Sequence, residues 1–358
     1  MTQRHRPSAK AYLRALTVIG GAVLLGCSEP SKGPSLLEDY TIRLGRALDT
    51  SGIEAPLIAP PRINDADLAA LPVPSSDLGM LDFLALSGCE LQVNIGRRNS
   101  SLGRNASASQ QLLLDVEFLA LVPPCIAAIK DEQPELAQTL ETAQRNKQQQ
   151  LSTRLYNAIF AGPEYRQFWS LPRALDDYPD QTAGDVIDSL DRLLHMSSDW
   201  LEGNYRLDYP LELDLSVLRQ GDGGDLLLAA VTQERELTVA NGLLEQRLAA
   251  RPLCPGGRKT QAATITETVV LKYFTQDVQG WLTELNRRQH QLLRPIQALE
   301  RILDGILPSN YRHWQTLRNQ VLDGLGTTPK AHVSAIKKAF AGCPEPIWQV
   351  NCVVGPCR

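Results

Sequence analysis

Residues 264–303, TITETVVLKYFTQDVQGWLTELNRRQHQLLRPIQALERIL, decide the class of fold. Val270, Phe274, Val278, Trp281, Leu282, Leu285, Leu292, Ile296, Leu299 and Leu303 recur at helical spacing, which gathers them on one face of a long amphipathic helix. Thr264 with Glu267 makes a T-x-x-E capping box at its start. Pro295 is expected to bend or break it, because proline removes a backbone donor and clashes with the preceding turn.

The same pattern extends outward in both directions. Pro134 suits a first helical turn, and Leu136, Leu140, Ala143, Leu151, Leu155 and Ile159 follow until Gly162-Pro163 stops the run. The polar middle, 144–150, leaves that helix a single buried stripe. Further amphipathic helices are expected over about 184–201 and 222–250, with two shorter ones at about 311–325 and 329–341. The expected fold is therefore mainly α, a bundle-like single body.

Two stretches depart from the helical pattern. Pro56, Pro60, Pro61, Pro72 and Pro74 require 50–75 to be extended, a proline-rich segment laid over the bundle. Leu207, Tyr209, Leu211, Leu213, Leu215 and Val217 alternate at strand period, with Pro210 confining any strand to an edge or a bulge. Paired with 348–354, they would make a small β ribbon.

Of the 358 residues, 43% are hydrophobic and 21% charged, which excludes wholesale disorder and suffices for one large core or two smaller ones. The net charge of −4 is uneven. Arg4, Arg6, Lys10 and Arg14 precede residue 27 with no acid among them, and the remainder stands at −8, against general nucleic-acid binding.

After those cations comes an uncharged, mostly apolar run of twelve, Ala15 to Gly26, which reads as a secretion signal over 1–26. As helix it spans about 18 Å, short of the ~30 Å hydrocarbon core, and no later stretch is expected to reach spanning length. Leu24-Leu25-Gly26-Cys27 is similar to the lipobox of bacterial lipoproteins, although Leu25 stands where a small residue is commoner. The resemblance implies cleavage before Cys27, acylation of its thiol and new amino group, and a membrane contact made by acyl chains. Ser28 then points to the inner leaflet of the outer membrane, since the inner-membrane retention signal is an aspartate there. Residues 27–35 read as a tether and 36–358 as a helical periplasmic domain.

With Cys27 acylated, Cys89, Cys125, Cys254, Cys343, Cys352 and Cys357 remain, an even number suited to disulfides in an oxidising compartment. Six cysteines allow fifteen pairings. Cys89 with Cys125 is favoured because both end apolar segments flanking one helical hairpin, and Cys254 with Cys343 is the next choice. The tail of Cys343, Cys352 and Cys357 lacks a Cys-x2-Cys knuckle or a nearby histidine, so neither a metal nor a cofactor is expected.

Motifs for catalysis are fragmentary. His195, His290, His313 and His332 form no H-E-x-x-H, and His195 reads as a packed or boundary residue. Ser334-x-x-Lys337 has the serine–lysine spacing of penicillin-binding enzymes without S-D-N or K-T-G, and Gly256-Gly257-Arg258-Lys259-Thr260 reads as a surface turn rather than a phosphate loop. Asp222-Gly223-Gly224-Asp225 lacks the alternating ligands of a calcium loop and is taken as a helix N-cap. The most distinctive local feature is Arg97, Arg98 and Arg104 around Ser100 and Ser101, a set of guanidiniums able to hold carboxylate or phosphate. The competing reading pairs these arginines with acids on neighbouring helices.

Cys89-Glu90-Leu91, then Arg98-Asn99-Ser100-Ser101-Leu102-Gly103, Cys125 and Leu253-Cys254-Pro255 resemble domain-of-unknown-function family 3080, a group of Gram-negative lipoproteins. This resemblance implies a lipidated envelope protein and lends no active site. The leading functional expectation is a non-enzymatic binding or scaffold lipoprotein that engages another envelope protein. The alternative is an envelope enzyme acting on peptidoglycan or phospholipid, with Arg97, Arg98 and Arg104 orienting an anionic substrate.

Overall fold

The computed structural model describes residues 32–74, 86, 88–179 and 183–344. Among them there is no strand, and the helices form one body. We number them α1 (Lys32–Leu48), α2 (Leu91–Asn99), α3 (Ser101–Arg104), α4 (Ala108–Ile129), α5 (Pro134–Ile159), α6 (Pro163–Phe168), α7 (Gly184–Leu201), α8 (Leu211–Leu218), α9 (Gly223–Ala250), α10 (Gln261–Val269), α11 (Gln279–Ile302) and α12 (Ser309–Ala339). α10 runs into α11 through a π-helical segment, Val270–Val278. Of the expected tether 27–35, residues 32–35 belong to α1, and 27–31 lie outside the described residues.

Two groups of helices build the body. In one, α4 and α5 form a hairpin capped by α2; in the other, α9 packs along α12 and is covered by α1, which also touches α10 and the π segment. α7 and α8 join them through contacts to α5, α4 and α11. Where the groups meet, Tyr165 and Phe168 of α6 and Trp169 just after it join an aromatic cluster with Tyr156, Phe160, Tyr311 and Trp314. Arg318 lies among these rings, fully buried, with both arms on Glu300 at 2.7 and 3.0 Å, while the Tyr311 hydroxyl donates to the same carboxylate at 2.6 Å. A buried charge is tolerated there because its counter-ion and hydrogen bonds are all supplied.

The proline-rich segment lies extended as expected, and side chains hold its backbone. Asn157 accepts from the Leu71 amide at 2.8 Å and donates to the Leu71 carbonyl at 2.9 Å, and Gln246 reaches the carbonyl of Ser51. Two disulfides, Cys89–Cys125 and Cys254–Cys343, tie α2 to α4 and the loop after α9 to the end of α12.

Several local expectations are corrected. Residues 211–218 are helix, not strand: Leu211, Leu215 and Leu218 are buried one turn apart, and Leu213 is left exposed. The alternating leucines satisfied both periods, and Pro210 stands at the helix start rather than on a sheet edge. The proposed partner strand, 348–354, lies outside the described residues. The long helix begins one turn before Thr264, at Thr260, whose hydroxyl accepts from the Ala263 amide at 3.1 Å, and Glu267 pairs with Lys259 instead of closing a capping box. Pro295 lies inside α11 without ending it.

Residues 311–325 and 329–341 belong to one helix, α12, despite Pro329. Proline cannot donate to the carbonyl four residues back, and Gln233 of α9 supplies the missing donor by reaching the carbonyls of Gly324 and Leu325 at 3.3 and 3.5 Å. Finally, α4 is by length and composition alone apolar enough to cross a membrane, contrary to expectation. Asp115 and Glu117 lie within it, Asp115 ion-paired inside the body and Glu117 paired with Arg97 at the surface, so α4 is a wall of the bundle.

Candidate functional site

The arginine segment lies at the turn between α2 and α3 and faces α4. Arg97 pairs with Glu117, whose carboxylate also accepts from Asn94 at 2.8 Å. Arg98 brings its Nε to 3.5 Å from Asp115 and its other nitrogens to Gly103 and Gln111. Arg104, at the end of α3, is exposed and makes no ion pair among the described residues. The three arginines are thus dispersed, two of them engaged by carboxylates of the same helix.

Two further cations complete the arrangement around Asp115. Lys147 and Arg154 reach across from α5, Arg154 placing its Nε 2.9 Å from the carboxylate. Asp115 is 3% exposed, so one buried carboxylate faces three cations. Burial pushes the Lys147 ammonium down, and Asp115 opposes that shift. Lys147 lies within the stretch 144–150 whose polarity marks it as solvated, and only the hairpin's register turns it inward. Beside the cluster opens a hollow of about 550 Å³ walled by Leu102, Leu113, Leu114 and Leu207, with Arg97 and Glu117 at its edge.

A larger groove, about 690 Å³, runs between α11 and the second half of α12. Phe274, from the π segment, forms its floor with Leu282, Leu325 and Val333. π-Helical turns recur at functional sites because the extra residue reorients side chains. Asn286 and Gln289 enter from α11, and Lys330 and Lys337 stand on the α12 rim with Asp323 and His290 nearby. Gln289 is 8% exposed as a whole residue, and its carboxamide is not among the buried groups left without a partner, so its polar end faces the groove. Neither lysine has an ion-pair partner there. Sequence reading places the apolar residues of α11 but cannot single out Gln289, which is one polar residue among many until its surroundings are known.

Ser334 and Lys337 both line this groove, but the serine hydroxyl donates to the carbonyl of Lys330 at 3.0 Å, the ordinary bond of an exposed helical serine. His195, His290 and His313 are exposed. His332 is fully buried: Tyr40 donates to its Nε2 at 2.7 Å and its Nδ1 donates to Asn241 at 2.7 Å. Burial pushes this imidazole down to about 3, so it is neutral and tied into the core between α1, α9 and α12.

Asp222 makes no side-chain cap of α9, unlike the expectation. Its carboxylate instead receives the Tyr178 hydroxyl at 2.7 Å and Arg288 at 2.6 Å. The two glycines after it are set by packing, since a Cβ on Gly224 would fall 1.9 Å from the Ser170 carbonyl oxygen and one on Gly223 would strike Phe168 and Trp169. Gly256 and Gly257 lie in a short 3-10 turn with positive φ, the surface turn expected. Among the described residues no three metal-ligating side chains gather. Cys27, Cys352 and Cys357 lie outside them.

A family model described as Protein of unknown function (DUF3080) matches residues 37–345. Comparison with the curated proteins and with the solved structures gives no match.

Proposed function

The chain belongs to the family described as Protein of unknown function (DUF3080), and because that description carries no activity, we propose from the chain's own residues that it is a lipid-anchored periplasmic protein acting by binding. Cys27, at the end of its apolar run, would carry the acyl chains, and Ser28 would direct the protein to the inner leaflet of the outer membrane. The two disulfides support an oxidising compartment such as the periplasm.

The observation that carries the binding reading is the α11–α12 groove. It presents an apolar floor flanked by the carboxamides of Asn286 and Gln289 and by the exposed Lys330 and Lys337, polar groups that a ligand can engage in place of water. The enzymatic alternative draws less support, because Arg97 and Arg98 are already occupied by Glu117 and Asp115. Photo-crosslinkers distributed over the exposed helices in intact cells should recover one defined envelope partner, and repeated recovery of none would overturn the reading. Fatty-acid labelling should be lost in Cys27→Ser, and incorporation that survives the substitution would refute the anchor.

A further inference from the structure

The groove's own geometry specifies its occupant. Its α12 rim runs from Asp323 to Lys337, about 21 Å at 1.5 Å per residue, the length of an extended chain of roughly six residues. Lys330 and Lys337 lie on one face, two turns and about 10 Å apart. A polyproline II chain advances about 9 Å in three residues and returns to the same face, so its side chains at positions one and four match the two lysines.

Such a chain has no internal hydrogen bonds, and its backbone amides and carbonyls are free. Asn286 and Gln289, one turn apart on α11, each offer a carboxamide that can both donate and accept, the pairing that an exposed peptide group needs. The floor of Phe274, Leu282, Leu325 and Val333 would bury the apolar side of that chain. A lone phosphate or carboxylate would use one lysine and leave the rest of the groove idle.

We propose that the α11–α12 groove binds an extended acidic peptide segment of another envelope protein, with carboxylates three residues apart. This rests on the binding reading above and names the chemistry of the partner.

The test uses the full lipidated chain in detergent micelles and a fluorescent, end-blocked heptapeptide with aspartate at its first, fourth and seventh positions and proline between. Fluorescence anisotropy should rise to saturation with this peptide and stay flat with its lysine counterpart. Lys330→Glu combined with Lys337→Glu should weaken binding about tenfold or more, and Gln289→Leu should weaken it while leaving the urea midpoint in place. Equal binding by the charge-reversed protein, equal binding of the lysine peptide, or competition by inorganic phosphate or anionic vesicles in place of peptide would overturn the assignment. So would crosslinks from position 333 to a second copy or to residues 345–358. A crosslinker at 333 that captures nothing in cells while one on another face captures an envelope protein removes the groove and spares the binding reading. Silence at every position removes both.

Discussion

The Tyr40 hydroxyl donates to Nε2 of His332 at 2.7 Å across 292 residues of sequence, fastening the first helix of the body to the last. Burial keeps the imidazole neutral, and with Nδ1 donating to the Asn241 carboxamide oxygen, Nε2 is left as the acceptor for the Tyr40 hydroxyl. Burial pushes the folded-state value down to about 3 from an ordinary 6.5, so the unfolded chain binds the extra proton between those values. The stability this site contributes is complete above pH ~6.5 and falls as pH drops toward 3, by several kcal/mol at the limit. Urea unfolding at stepped pH should show that slope, and His332→Gln should flatten it while lowering stability at neutral pH. A variant with the original slope would contradict the assignment.

Asp225 gives a slope of opposite sign. Burial, then the neighbouring Asp222, raise its carboxyl to about 6 from 3.8, so the folded chain holds the extra proton between these values and stability declines as pH rises through them. Asp225→Asn should therefore stabilise the protein at pH 7 to 8, by about 1 kcal/mol once solvent screening is allowed for. Thermal melts at pH 4 and pH 8 check it, since the gain should vanish at the lower pH.

Removing the carboxylate at the centre of three cations is expected to be severe. Asp115→Asn leaves Arg98, Lys147 and Arg154 facing one another and should cost about 3 to 5 kcal/mol in urea unfolding. Arg104→Ala, on the same segment but exposed, should stay within about 0.5 kcal/mol.

The rescue of Pro329 by Gln233 predicts coupling between the two positions. Gln233→Leu alone removes the donor to Leu325 and should cost about 1 to 2 kcal/mol. In a Pro329→Ala background the alanine amide serves that carbonyl itself, so the same change should cost less. A double-mutant cycle without coupling would refute the account.

Loss of the Cys254–Cys343 bridge, which spans 89 residues, should lower stability by about 4 kcal/mol in Cys343→Ser. Non-reducing mass mapping of the native protein checks the pairing itself.

The mainly helical class, the helices 134–159, 184–201 and 223–250, and both disulfides follow from the sequence because long apolar stripes and cysteines at segment ends carry local signals. Leu207–Val217 misleads because leucines at every second position also fall four apart, and only packing of Leu211 and Leu215 on the body selects helix. Pro329 conceals the continuity of α12 because its compensating donor lies 96 residues earlier, in Gln233. The same distance effect hides the cluster at Asp115 and the groove. Arg98 can be picked out locally, but Lys147, Arg154 and Gln289 acquire meaning only when separate helices meet.

The early start of α1 sets a leash. From Cys27 to Lys32 the backbone can extend no more than about 18 Å, so under the proposed anchor at Cys27 the body would stay close to its own leaflet and could not sweep the space between membranes. On that proposal any partner would have to come to that leaflet, as a resident neighbour or as traffic arriving at the membrane surface.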